Sequence, residues 1–262
     1  MTGAADRALR AAQENPFNLN DKRILVTGAS SGLGRATALA CARMGACVFV
    51  TGRDSARLAD TLNALQQISG QAHSSHVADL TVAADCATLV GSLGQNIDGL
   101  VHGAGVSRLC PARMINTEHL QEVYRINVEA PMLLTRELLH GRRLADGASI
   151  VFMASMAAHI GVAGVAAYSG SKAALIAMAR CLAMEVVRDG MRVNCLAPGL
   201  VDTPLLAETQ RIVRSLDKQR RDYPLGFGRP DDVANAAVYL LSGASRWVTG
   251  TTLILDGGLT IS

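Results

Sequence analysis

Short aliphatic runs alternate with longer stretches of helical periodicity along most of the chain, and this alternation restricts the fold more than any other feature. Arg23–Thr27, Cys47–Thr51, Ala72–Val77, Ile97–His102, Ser149–Met153, Met191–Ala197 and Thr252–Leu255 read as strands. Between them, helices are expected over Leu33–Met44, Ser55–Ile68, Val82–Leu93, Thr117–Leu139, Val165–Val187 and Asp231–Leu241. Strands that are aliphatic throughout, instead of alternating, belong to sheets covered on both faces. Repeated strand–helix–strand units join parallel strands by right-handed crossovers. The expected fold class is therefore α/β: a doubly wound parallel sheet of about seven strands, with helices on both faces.

No linker, repeat or low-complexity tract divides the chain. Residues 1–20 are expected to form an N-terminal extension and residues 21–262 a single domain. Apolar residues make up 49% and aromatic residues only 3%, so Ala, Val, Leu and Gly must fill the core. The net charge of +3 is spread along the chain, which leaves no footprint for nucleic acid or an anionic membrane. No segment reaches the roughly 18 apolar residues that span a bilayer. The first residues lack the apolar core of a secretory signal, and a cytoplasmic location is expected. Six scattered cysteines without a C-x-x-C pair read as reduced thiols. His73 and His76, lacking a third ligand nearby, read as surface or strand-edge residues, and no metal site is expected.

Thr27-Gly28-Ala29-Ser30-Ser31-Gly32-Leu33-Gly34 falls between the first strand and its helix. Glycines there let the backbone turn tightly and approach a phosphate, while the helix N-terminus offers free N–H groups to anionic oxygen. Ser30 and Ser31 add hydroxyl donors. The second strand ends in Gly52-Arg53. A dinucleotide site selective for NAD(H) places a carboxylate at about this point, on the ribose 2′-hydroxyl. Gly52 removes it, and Arg53 can pair with a 2′-phosphate, so NADP(H) is favoured over NAD(H). The alternative for Arg53 is a solvated loop beside Asp54. Asp79, followed by Leu80, either accepts from the adenine amino group or, with Thr81, caps the next helix.

Tyr168 and Lys172 stand at i and i+4 and so share one face of a helix. Hydride transfer to a carbonyl needs a proton donor, and the reverse needs a base. A free phenol titrates near 10, and an ammonium one turn away lowers that value. Ser155, at the end of the preceding strand, can hold the substrate oxygen beside the phenol. The pattern points to an enzyme that moves a hydride between nicotinamide and a carbonyl/alcohol pair on a small molecule.

With the TGxxxGxG loop at Thr27–Gly34 and YxxxK at Tyr168–Lys172, the chain resembles the short-chain dehydrogenase/reductase family from about Arg23 to Gly258. The resemblance implies a Rossmann-like fold, with Tyr168 as catalytic acid/base and Lys172 lowering its pKa while holding the nicotinamide ribose. It further implies Ser155 as carbonyl-orienting residue and Asn127 as the asparagine that kinks a helix and anchors a relay water. Pro198, Gly199, Val201 and Thr203 match a segment that cups the nicotinamide carboxamide. Gly103, Ala104 and Gly105 follow the fourth strand as the family's glycines do, but His102-Gly103 replaces its usual Asn-Asn, removing an amide that braces the sheet. Gly228–Ala234 and Asp256–Gly258 match signatures read as structural. The implied reaction is reduction of a ketone or 3-oxoacyl group, by a homo-oligomer built on the helices over Thr117–Leu139 and Val165–Val187. An epimerase or dehydratase, and a silent cofactor-binding scaffold, are the other readings. The substrate pocket is expected between residues 156–165 and 200–223, where Arg211, Arg214, Lys218, Arg220 and Arg221 form either a solvated helix face or a docking patch for an acidic acyl carrier protein or a coenzyme A ester.

Overall fold

The structure, a computed structural model, describes residues 15–206 and 221–261. Seven strands, β1 (Arg23–Thr27), β2 (Cys47–Gly52), β3 (Ser74–Val77), β4 (Ile97–His102), β5 (Leu144–Met153), β6 (Arg192–Pro198) and β7 (Thr252–Leu255), build one sheet. Their order is β3-β2-β1-β4-β5-β6-β7, and every neighbouring pair is parallel. The chain winds outward from β1 to β3, then returns to the middle and winds the other way from β4. The order therefore reverses between β1 and β4, and the carboxyl ends of these two strands border the crevice where ligands bind in such sheets.

Side chains alternate across each strand, and this splits the core in two. On one face, Leu25, Leu100, Ile150 and Val193 pack under α3 (Ala83–Ser92), α5 (Ala130–His140) and α6 (Ala166–Val186). On the other, Ile24, Val26, Val101, Val151 and Leu196 pack under α1 (Gly32–Arg43), α2 (Ser55–Ile68) and α7 (Pro230–Leu241). α1 turns Ala36, Ala38, Ala40 and Ala42 inward, so it approaches α7 and the sheet closely without large side chains. α7 begins where Asp232 Oδ2 accepts from the Arg229 N–H at 2.7 Å.

Three departures from the sequence reading have physical causes. β5 starts at Leu144, because Leu144 pairs with Ile97 before the chain bulges and the ladder resumes at Ser149 opposite Gly99. Gly147, at φ 76°, makes that bulge possible. The helix expected across Thr117–Leu139 is divided into α4 (Thr117–Tyr124), a π-turn over Arg125–Glu129, and α5. His73, expected at the surface or a strand edge, directly precedes the edge strand β3 but is buried: its Nδ1 accepts from Val48 N–H at 3.1 Å, and its Nε2 meets Ser69 Oγ at 2.9 Å. Residues 1–14 of the expected extension, and Arg211, Arg214, Lys218 and Arg220 of the basic stretch, lie outside the described residues. Leu19, within the remaining part of that extension, is fully buried and its N–H donates to Met44 O at 2.8 Å.

The six cysteines are all free. Burial pushes the Cys41 and Cys195 thiols up to about 12, which keeps them protonated and inert. No described helix is long and apolar enough to cross a membrane.

His102 ends β4 and supplies the brace that the missing asparagine would have given. Its ring stacks on Phe152 of β5 at 4.7 Å between centroids. Its Nε2 meets Thr135 Oγ1 of α5 at 2.8 Å, and the Thr135 hydroxyl is itself bonded to Pro131 O. Because that hydroxyl donates to Pro131, His102 must donate from Nε2, leaving Nδ1 buried without a partner. Burial pulls the imidazole down to about 3. The unfolded chain then binds the extra proton first between about pH 6.5 and 3, so stability present above 6.5 is lost as pH falls through that window. We expect His102→Gln to remove about 2 kcal/mol of the stability loss between pH 7 and pH 5, read as a smaller fall in urea midpoint over that range.

Candidate active site

The turn leaving β1 and the turn leaving β4 meet at the reversal point. Gly28 adopts φ 65°, and a Cβ there would lie 2.6 Å from the Ala104 backbone. Only glycine lets these two turns touch. Ala104 N–H also donates to Thr27 Oγ1 at 3.2 Å, tying the turns together. α1 follows at once, and its N-terminus carries neither a side-chain cap bond nor an acidic residue in the first turn. Its free N–H groups therefore face the crevice with their full affinity for anionic oxygen.

The crevice is a cleft of about 750 Å³. Gly28, Ser30, Ser31, Gly32, Leu33, Gly34, Arg53, Asp79, Leu80, Gly103, Ala104, Gly105, Tyr168, Lys172 and Thr203 all line it. Pro198, Gly199 and Val201 do not. Pro198 ends β6, Gly199 is wedged against Tyr223 and Asp256, and Val201 is buried in a bridge to Gly228. Ser155 and Asn127 are not among the lining residues either: Asn127 is buried, and Ser155 is half-buried beside Tyr168. The loop over 156–165, expected at the substrate, is absent from the lining, and from 200–223 the described contributors are Thr203, Pro204 and Leu205.

At the β2–β3 end, Arg53 Nη1 lies 4.0 Å from Asp79 Oδ2, a loose and exposed pair of little intrinsic strength. Asp79 caps no helix. Its Oδ1 accepts from the N–H and hydroxyl of Thr81 at 2.9 and 2.8 Å, closing the turn after β3. These bonds to Thr81 hold its carboxyl below the usual range, aided by Arg53 and Arg125. Arg57, one turn into α2, also reaches the cleft while bonding Asp54 at 2.7 Å.

At the other end, Tyr168 and Lys172 sit on the first turns of α6. Burial pushes the Tyr168 phenol up, and a hydrogen bond with Ser155 pulls it partly back. The ammonium does not depress it: Lys172 Nζ lies 5.8 Å from the ring centroid and donates instead to Met153 O at 2.7 Å. Burial draws Lys172 down to about 8. Ser155 Oγ also accepts from Ala157 N–H at 3.2 Å, which fixes its rotamer.

Asn127, in the π-turn, is almost wholly buried. Its Oδ1 accepts from Val106 N–H at 2.8 Å, and its Nδ2 donates to Val106 O at 2.9 Å and Ser171 Oγ at 3.0 Å. Ser171 Oγ in turn donates to Tyr168 O at 2.7 Å. One amide thus clasps the loop after β4 to the helix carrying Tyr168 and Lys172. A Cβ on Gly105 would fall 3.2 Å from both Asn127 Oδ1 and Lys172 Nζ, so this glycine keeps the junction open. The π-turn also swings Ile126 into the cleft; no strand or helix period foretells that.

A family model described as "Enoyl-(Acyl carrier protein) reductase" matches residues 28–260. The chain belongs to the short-chain dehydrogenase/reductase family. It is an oxidoreductase family, and the similar curated proteins carry dehydrogenase or reductase names. D-threitol dehydrogenase of Mycolicibacterium smegmatis is 36% identical over 253 residues, covering 94% of this chain and 95% of that protein. A 3-oxoacyl-[acyl-carrier-protein] reductase of Rickettsia bellii is 32% identical over 248 residues, covering 93% and 98%. Among solved structures, that of a putative NAD(P)-dependent gluconate 5-dehydrogenase from Beutenbergia cavernae, with bound NADP, superposes with a TM-score of 0.86 at 33% identity, covering 95% of this chain and 100% of that one. In this member of the family, the residues around Tyr168 are held by the Asn127 clasp. Asn127→Ala deletes three buried hydrogen bonds and leaves Val106 N–H unpaired. We expect it to destabilise the fold by about 3 kcal/mol, measured as the shift in urea unfolding free energy.

Proposed function

We propose that the protein is an NADP(H)-dependent oxidoreductase that interconverts a carbonyl and a secondary alcohol on a small substrate, of ketone or 3-oxoacyl type. The observation carrying this reading is that Tyr168 and Lys172 open onto the same cleft as the glycine turn after β1. A dinucleotide fits this chain's residues. Gly32 lines the cleft, and a Cβ there would meet only the Thr203 side chain at 3.9 Å, so it would project into the space a phosphate would take, while the uncapped α1 N-terminus lacks an anionic partner. Ser30, Gly32 and Gly34 would hold the pyrophosphate. Asp79 and Leu80 would border the adenine, Gly103, Ala104 and Gly105 the nicotinamide side, and Thr203 the carboxamide.

When bound, the nicotinamide supplies or takes up the hydride. Tyr168 holds the proton at its Oη and delivers it to the substrate oxygen during reduction. Ser155, beside that phenol, orients the same oxygen. Proton and hydride together convert C=O to CH–OH, and oxidation reverses both transfers. The Lys172 ammonium stabilises the phenolate left behind, provided it exchanges Met153 O for groups nearer the ring. Apo sites often tighten in this way only on binding. Asn127 keeps Tyr168 and Lys172 in register with the loop after β4.

Support for NADP(H) over NAD(H) comes from Gly52, which places no carboxylate at the end of β2. A Cβ at that position would lie 3.4 Å from Ser30 Oγ, so the hydroxyl borders the same space. Among the described residues Arg53 is held only by the loose Asp79 contact, which leaves it able to swing onto a phosphate. We also propose a homo-oligomer, supported by Met184 on α6, Val187 just beyond its end and Leu133 on α5, which are exposed, and by Trp247, which is 90% exposed.

Two measurements test this reading. Tyr168→Phe should bind NADPH as the parent does, yet lose about a thousandfold or more in kcat on any ketone the parent reduces; undiminished turnover overturns the assignment. Arg53→Ala should lower the ratio of kcat/KM for NADPH over NADH by about tenfold, and an unchanged ratio removes Arg53 from cofactor choice.

A further inference from the structure

Among the described residues the cleft wall carries cations at both ends, Arg53 and Arg57 at one and Lys172 and Arg108 at the other, but carboxylates at one end alone. Its two carboxylates, Asp54 and Asp79, lie at the β2–β3 end. At the Tyr168 end the wall carries Val106, Ile126, Ala154 and Leu205, with two cations, Lys172 and Arg108, and among the described residues no carboxylate. Lys172 is buried and bonded to Met153 O. Arg108 stands at the rim.

The loop that carries Arg108 is held on both sides. Val106 is bonded through its N–H and its C=O to Asn127. Two residues beyond Arg108, Cys110 N–H donates to Gly164 O at 2.8 Å. The guanidinium itself is oriented by Glu122 of α4, whose Oε1 accepts from Arg108 Nε at 3.1 Å. That contact occupies Nε alone. Among the described residues neither Nη1 nor Nη2 has a hydrogen-bond partner, although Arg108 borders the cleft. A guanidinium steadied through Nε presents its Nη groups as a planar donor pair, which matches the two oxygens of a carboxylate. A neutral polyol or a plain ketone has no group that requires such a fork.

We propose that Arg108 is a specificity-determining residue: it anchors a carboxylate on the substrate, and the natural substrates are oxo acids or the corresponding hydroxy acids. The inference rests on the oxidoreductase reading above and names the substrate class of that same cleft. Glu122 positions Arg108 and does not itself touch the substrate.

The test uses the full-length protein and begins with a fluorescence titration of NADPH. Failure of NADPH to bind overturns the nicotinamide reading and is visible at this step alone. Acetoacetate and levulinate are then compared with their methyl esters, as ligands by thermal shift with and without NADPH, and as substrates by NADPH consumption. We expect the acids to raise the melting temperature and the esters not to. We also expect kcat/KM to favour acid over ester by about 10- to 100-fold, the range for a hydrogen bond to a charged group. Arg108→Leu and Arg108→Gln should each bring that ratio near one through a raised KM for the acid, and should abolish the acid-induced thermal shift. Arg108→Lys should keep part of it. Equal stabilisation by acid and ester, stabilisation by neither, or an acid preference that survives both Arg108→Leu and Arg108→Gln overturns the proposal.

Discussion

Two backbone turns touch at the centre of this molecule, and the rest of the site is arranged around that contact. The strand order reverses between β1 and β4, so the loops leaving them diverge to opposite faces and open a crevice. The crevice has its shape only because Gly28 lies against Ala104 with no side chain between. Any other residue at Gly28 would adopt a strained φ and also push the β4 turn outward. The free N-terminus of α1, Gly103 to Gly105 and the phenol on α6 all take their positions from that approach.

A second level of order comes from polar groups buried behind the cleft. Asn127, Ser171 and the carbonyl of Tyr168 form a chain of hydrogen bonds linking α6 to the loop after β4. Inside a low-dielectric wall such a network is costly to leave incomplete and rigid when complete. The same logic governs His102, whose ring fills the space between β4, β5 and α5 and keeps one nitrogen bonded to Thr135. The sheet is braced there by a stacked imidazole and a hydroxyl, in place of an amide. Acid sensitivity follows, because an imidazole can take up a proton that an amide refuses.

The electrostatic state of the Tyr168 pair differs from what local spacing implies. Four residues on a helix bring phenol and ammonium to one face, and sequence reasoning converts that proximity into a lowered phenol pKa. Burial acts on both groups in opposite directions, raising Tyr168 and lowering Lys172. The nearest acceptor for the ammonium is a backbone carbonyl on β5. Desolvation therefore dominates the pair, a balance that depends on which strand ends beneath the helix.

Much of this protein was legible in the residues alone. Aliphatic runs, helical periods and glycine spacing are local properties, and they carried the strand count, the parallel sheet, the glycine turn and the Tyr/Lys face. What sequence could not supply were relations between distant segments. The bulge that lengthens β5 depends on Ile97 pairing with Leu144, and the π-turn that brings Ile126 to the cleft breaks the helical period on which the reading relied. The burial of His73 against β2 and the exclusion of Pro198, Gly199 and Val201 from the lining likewise follow from packing. Residue types and their spacing determined which groups the chain brings to its crevice. The three-dimensional arrangement decided which of them face it, how they are charged and what holds them, because burial and hydrogen-bond partners are set by neighbours far away along the chain.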